Sequence, residues 1–287
     1  MEIRTDIKNN EGLRNSFFDL AEDVFGLDLR TWYANGFWQD DYIPYSVVED
    51  GRVVANVSVN ICNFRWKTRI RHLAQLGTIM CDEAYRGRGY IRALMEKIER
   101  ECGSSFEGIY LYCMTDKIPF YEKFGFSRRY EWRCAKEVNI TTPADIENVP
   151  MRTQDDWDRM VDIITRRYQY GDRIMMNNPG LFMFCLAGPM SDNVFFVPSS
   201  EAYVIASANK EVLTIYAVFS EGKIGLGDVI SSFGSGIRKV VLAFTPENNT
   251  GFDRVRIEDE DQVMMVRGPV FDEAKNERFM FPEISHA

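Results

Sequence analysis

Apolar residues near the start of the chain recur at Leu13, Phe17, Leu20 and Phe25, close to the period of an α-helix, and Gly26 supplies a stop. A second short helix is predicted at LDLRTWYANGF. Alternation then replaces the helical period. YSVVEDGRVVANVSVN holds two β-rich runs joined at Asp50-Gly51, a strong hairpin signal, and residues 61–81 continue as strand material ending in QLGTIMC. From Tyr90 onward Ile91, Leu94, Met95, Ile98 and Cys102 form one apolar helical stripe, with Glu96 and Arg100 paired on the outer side. IYLYCM alternates as a strand. TDKIPFYEKFGF reads as a short helix stopped by Gly125, and SRRYEWRCAKEV as one further strand. Strand, turn, helix, strand, short helix, strand is the order of an α/β module with a mixed (α+β) sheet, its turn lying at a strand's carboxyl end.

Residues 139–153, NITTPADIENVPMRT, are polar and carry two prolines, which predicts a boundary between a domain at 1–140 and another at 150–287. DDWDRMVDIITRRY opens the second half as a helix, and VFFV, AYVIAS and VLTIYAVF follow as strands. SEGKIGLGDVISSFGSGIRKVVLAF again reads turn, helix, strand. The layout of the first module is repeated, with no arginine in the turn and only a short helix after it. The second domain is therefore expected to be a degenerate copy.

Composition narrows the function classes. A net charge of -9 argues against the broad basic surface that nucleic-acid binding needs. The start, MEIRTDIKNNEGL, has no basic region followed by an apolar core, and no apolar run approaches the roughly 18–20 residues of a membrane span, so a cytoplasmic protein is expected. The cysteines Cys62, Cys81, Cys102, Cys113, Cys134 and Cys185 form no CxxC pair, and His72 and His286 are the only histidines. Free thiols are expected, with no disulfide framework and no metal site.

The stretch DEAYRGRGYIRALMEKI raises the question of chemistry. N–H groups in a helix's first turn lack internal partners, and the helix dipole adds partial positive charge there. Glycine lets a ligand approach that backbone closely, and Arg86 and Arg88 can add charge-assisted bonds, so a diphosphate would fit. A glycine loop with solvated arginines is the plain alternative. The strand TIMC before the turn, the periodic helix after it and the downstream PFYEKFGF together resemble the GNAT superfamily of acyl-CoA-dependent N-acetyltransferases, specifically from about Gln75 to Phe126. The string RGYIRAL is similar to the turn of the Eis-type multidomain members.

The resemblance implies a GNAT fold in two tandem GNAT-like domains, the second degenerate, with acetyl-CoA as co-substrate. It implies that Arg86, Gly87, Arg88, Gly89, Tyr90 and Ile91 hold the pyrophosphate, with Ile91 standing where the family has Gly or Ala. Thr115 is assigned to the same ligand. Backbone N–H groups of Ile79, Met80 and Cys81 would face the reacting carbonyl, and Tyr121 would stand near the CoA sulfur. A phenol of pKa about 10 can protonate a departing thiolate; a core tyrosine is the alternative. The expected reaction is direct attack by the primary amine of a small molecule or peptide. Cys81 and Cys113 could be nucleophiles, but no partnered histidine is evident.

An alkylamine is neutral on the order of once in 10³ molecules at pH 7, so a base or water relay helps. Candidates are Asp40, Asp41, His72 and Ala287, the last because a C-terminal carboxylate reaches the active site in Eis-type enzymes. Phe279, Met280, Phe281 and Ile284 give that tail enough apolar surface to dock. Trp38, Asp40, Tyr42, Tyr45, Asn56, Ser58 and Asn60 could line an acceptor pocket, although the aromatic ones suit a core equally. A non-catalytic acyl-CoA-binding regulator and an aminoacyl transferase of the peptidoglycan-bridge type are the rival readings. A homo-oligomer is compatible with all of them.

Overall fold

The computed structural model describes residues 1–259 and 261–287. The first half runs β1 (Glu2–Arg4), α1 (Glu11–Phe25), α2 (Arg30–Ala34), β2 (Tyr42–Glu49), β3 (Arg52–Trp66), β4 (Arg69–Cys81), α3 (Tyr90–Cys102), β5 (Gly108–Cys113), α4 (Ile118–Glu122) and β6 (Ser127–Arg129). The second half runs β7 (Trp132–Glu137), β8 (Glu147–Asn148), α5 (Gln154–Arg166), β9 (Tyr168–Gln169), β10 (Arg173–Met175), α6 (Pro179–Leu186), β11 (Val194–Val197), β12 (Ala202–Asn209), β13 (Val212–Ser220), α7 (Leu226–Ser231), β14 (Lys239–Leu242), β15 (Asp253–Arg256), β16 (Val263–Arg267) and α8 (Pro269–Glu273). Local chemistry sets several boundaries, those at Gly26 and Asp50-Gly51 as expected. The Asn10 side chain caps α1, Gly26 ends it at φ 68°, and Asp50-Gly51 turns the β2–β3 hairpin with φ of 50° and 75°.

The strands form two mixed sheets of the same plan. The first has the order β1-β2-β3-β4-β5-β16-β6 and the second β8-β11-β12-β13-β14-β7-β15, each with one parallel pair at its centre, β4 with β5 and β13 with β14. The two sheets exchange a strand. After β6 the chain leaves the first sheet and inserts β7 between β14 and β15; after β15 it returns and inserts β16 between β5 and β6. SRRYEWRCAKEV is thus two strands in two sheets, and the crossing falls at Tyr130-Glu131, ahead of the polar stretch at 139–153. Composition marks where backbone is solvated; it carries no record of which sheet a strand joins.

Three apolar layers hold this arrangement. Leu94, Met95 and Ile98 of α3 pack with Tyr121 of α4 on one face of the first sheet, together with Val263 and Met265 from β16. On the other face the α1–α2 layer continues without a break into the contact between the halves. There Phe281 lies 4.5 Å from Phe64 and 4.8 Å from Tyr110, ring centre to ring centre. The third layer joins the second sheet to α7. β10 adds a further crossing by pairing with the end of β3.

Candidate active site

In the first sheet β4 and β5 pair only from Leu73–Gly108 to Leu76–Leu111, and beyond that they diverge into a fork. The divergence starts at an irregularity: the ladder with β3 shifts register near Asn56 and Ser58, and Thr78 sits at φ 47°, a left-handed conformation that costs a β-branched residue about 1–3 kcal/mol. A buried hydrogen-bond network offsets that cost. Asn56 donates to the Thr78 carbonyl (2.9 Å) and to Ser58 Oγ (2.8 Å), and Ser46 Oγ donates to Asn56 Oδ1 (2.8 Å). The Tyr42 hydroxyl meets both Ser58 Oγ (2.8 Å) and Thr78 Oγ1 (2.6 Å). Asn56→Ala is expected to lower unfolding free energy by about 2–3 kcal/mol in a denaturant titration, because it takes a partner at once from the fully buried Ser46 and Ser58 hydroxyls and from the part-buried Thr78 carbonyl. A loss below about 0.5 kcal/mol would mean the network does not hold the bulge.

Past the bulge, Asp82 N–H donates to the Val54 carbonyl (2.9 Å). Strand alternation puts Met80 N–H on that same side, in the ladder with β3, and turns the N–H groups of Ile79 and Cys81 toward the fork. Of the three consecutive donors expected there, two are available and Met80 is not.

The RGRGY turn lies where β4 leads into α3. Gly87 and Gly89 have φ of 77° and 80°, and a side chain at either would meet nothing within 4 Å, so the backbone faces open space. Gly89 is the N-cap of the 13-residue helix α3 and supplies no side-chain cap, leaving the first-turn N–H groups for a ligand. Arg86 is exposed and ties back to the Cys81 carbonyl (Nε to O, 3.4 Å), while Arg88 stacks over the Tyr85 ring at 4.6 Å. Ile91 packs into the layer beneath α3 and does not crowd the turn. Tyr90 is engaged elsewhere, donating to Glu49 Oε1 at 2.9 Å. Thr115 opens the turn after β5. These residues fit a diphosphate.

Tyr121 is buried beside Cys113 at the end of β5, and among the described residues its hydroxyl has no hydrogen-bond partner. Burial, with Cys113 nearby, pushes the phenol above its ordinary range, so it is protonated at neutral pH. Burial also pushes Cys113 up to about 11 and raises Cys81, which makes both thiols rather than nucleophilic thiolates.

The second fork is closed. β13 and β14 pair from Val212–Lys239 to Ile215–Leu242, and beyond that β9 fills the gap by pairing Gln169 with Phe219 and Tyr168 with Ser220.

Residues 13–126 match the acetyltransferase (GNAT) family model. That segment is a GNAT acetyltransferase domain. Its fold is shared by a conserved protein of unknown function from Enterococcus faecalis V583 (TM-score 0.61, 15% identity, 93% of this chain and 71% of that one). It is shared too by a GCN5-related N-acetyltransferase from Kribbella flavida (0.58, 15%, 93% and 70%) and by Eis1 from Mycobacterium abscessus (0.56, 13%, 97% and 76%). No curated protein matches the chain. Among the described residues no helix is long and apolar enough to cross a membrane, and no group of His, Cys, Asp and Glu could hold a metal ion.

On the opposite side of the GNAT fork the expected acceptor residues separate. Trp38 is core: it packs against Trp32 and Phe17, and its Nε1 donates to the Tyr42 carbonyl at 3.1 Å. Tyr45 points to the α3 face, because alternation sends it opposite to Tyr42. Asp40 lies in solvent beside Lys8 (3.5 Å). Asp41 is half-buried against Asn177 and Asn178, and burial raises its carboxyl. His72 bonds Asn63 (2.7 Å) at the far end of β4, roughly 30 Å along the strand from Cys81. Tyr42, Asn56 and Ser58 do share one face with Asn60, as structural members of the bulge network.

The tail reaches the fork. Phe279, Met280, Phe281 and Ile284 are all buried, Phe281 N–H donates to Glu131 (3.1 Å), and the His286 ring stacks on Tyr112 at 3.9 Å. Burial pushes Glu131 up to about 7 and His286 down to about 3, so the imidazole stays neutral. Ala287 is exposed and sits over Gly77: a β-carbon added there would fall 2.8 Å from that of Ala287. Sequence reasoning missed Thr78, Gln75 and β16. Gly77 followed by a β-branched residue was the one available hint of a bulge.

Proposed function

We propose that the chain moves the acetyl group of acetyl-CoA to a primary amine of a small molecule or peptide by direct attack at the β4–β5 fork. The observation that carries this reading is an open fork in the first sheet joined to an uncapped glycine turn, while its counterpart in the second sheet is filled by β9. Arg86, Gly87, Arg88, Gly89 and the α3 N-terminus would hold the pyrophosphate, with Ile91 beneath them in the core. The amine nitrogen forms a bond to the thioester carbon, and the N–H groups of Ile79 and Cys81 receive the charge that develops on oxygen. The carbon–sulfur bond then breaks, the Tyr121 phenol gives its proton to the thiolate, and the proton shed by the amine nitrogen passes to solvent, which in turn restores the phenol. Ala287 is assigned to the acceptor side. The second half serves the site structurally, through β16 and the tail.

The test is acetyl-CoA titration by calorimetry, followed by CoA-thiol release with polyamines, aminoglycosides and lysine peptides. Arg86→Ala removes a charge-assisted phosphate contact and is expected to weaken acetyl-CoA binding by roughly 10- to 100-fold. An intact chain that binds no acetyl-CoA would end this reading.

A further inference from the structure

Gln75 lies on β4 two residues before Gly77, completely buried on the face that carries Asn60 and Tyr110. One amide orientation satisfies its surroundings: Oε1 accepts from Ala287 N–H at 2.7 Å and Nε2 donates to the Ser285 carbonyl at 3.0 Å. The reverse orientation sets oxygen against oxygen and N–H against N–H. The Tyr110 hydroxyl lies 3.3 Å from the same side chain. Gln75 pairs with Tyr110 one residue before Leu76–Leu111, the last β4–β5 pair, so its side chain leaves the sheet face beside the point where the fork opens, and its partner there is the tail. Gly77 then leaves the space in which Ala287 seats.

We propose that Gln75 is a positioning residue: its buried amide grips the backbone at Ser285 and Ala287, holds the tail across the fork, and thereby sets where the acceptor amine stands relative to the thioester. The assignment of an acceptor-side role rests on the proposed function of Ala287; the grip itself does not. Two polar contacts to a main chain that is otherwise anchored at Glu131 and Tyr112 give the tail's end its register, much as a ladder pair would.

The experiment uses the full chain, Gln75→Met, Gln75→Glu, and a chain lacking residues 285–287, alone and combined with Gln75→Met. Hydrogen exchange of the C-terminal peptide, acetyl-CoA affinity and amine kinetics are measured on each. Gln75→Met, similar in length but without hydrogen-bonding groups, is expected to speed exchange of the tail amides by about tenfold or more and to change acetyl-CoA affinity less than twofold. It should lower kcat/KM for the amine by roughly 10- to 100-fold and add nothing further once residues 285–287 are gone. Gln75→Glu keeps the acceptor for Ala287 N–H, loses the donor to Ser285, and should fall between. Unchanged exchange in Gln75→Met, or an equal kinetic loss on the shortened chain, would overturn the proposal. Full turnover by the shortened chain would instead remove Ala287 from the acceptor side, with the exchange result still deciding whether Gln75 holds the tail.

Discussion

A chain ending at residue 140 is expected to give no cooperatively folded acetyl-CoA-binding domain, although it contains the turn, Tyr121 and the whole span that matches the family. The reason is β16. It pairs with β5 from Val263–Cys113 to Arg267–Ile109 and with β6 from Met264–Arg129 to Val266–Ser127, so it stands between two strands that do not touch each other. Without it β6 has no partner in the sheet, and the buried side chains of Val263, Met264, Met265 and Val266 are missing from both faces. At about 1.5–3 kcal/mol for each buried apolar side chain, the loss is comparable to the whole stability of an ordinary domain, about 5–15 kcal/mol. The same truncation leaves β7 without β14 and β15, exposing a strand edge. Circular dichroism melting and calorimetry on the shortened chain check this. A sharp melt with intact acetyl-CoA binding would show that the exchanged strand is dispensable.

Tyr121→Phe is expected to leave the fold and acetyl-CoA affinity unchanged and to lower turnover by about 10²- to 10⁴-fold. The separation follows from the hydroxyl's surroundings. The ring is packed against Phe120 and Phe126, contacts that phenylalanine keeps, and among the described residues the hydroxyl bonds to nothing. Removing it therefore takes no interaction from the folded protein, and the change in melting temperature should be small. What it takes away is a phenol held protonated by burial at the end of β5, where the proposed reaction needs a proton for the departing thiolate. Steady-state kinetics beside calorimetry distinguishes the outcomes. Equal turnover in the two proteins would make Tyr121 a core residue and move the acid elsewhere.

The turn proposed to hold the acyl donor was legible because it is local. A glycine turn ahead of a periodic helix needs only neighbouring residues to form, so Gly87, Gly89 and α3 were visible in one short stretch. The acceptor side was not legible for the opposite reason. Trp38 and Tyr45 have the residue types of a pocket wall, but the face each presents depends on strand register and on what covers that face. Asp40 and His72 have the chemistry of a base and sit in the wrong places. Asn56 read as a pocket residue and is instead half of the support for Thr78.

The sequence by itself determined the main helices, many of the strands, the glycine turn before α3 and the repeated plan of the two halves, since periodicity, caps and turn residues act within a few positions of one another. Tertiary structure decided the rest. Which sheet β7 and β16 join, which fork stays open and where Ser285 and Ala287 come to lie depend on contacts between residues far apart in the chain, from about 50 positions for Gln169 and Phe219 to more than 200 for Gln75 and Ala287. Nothing in the local pattern of a strand specifies its partner; the burial of both faces and the satisfaction of every backbone group in the assembled chain select it.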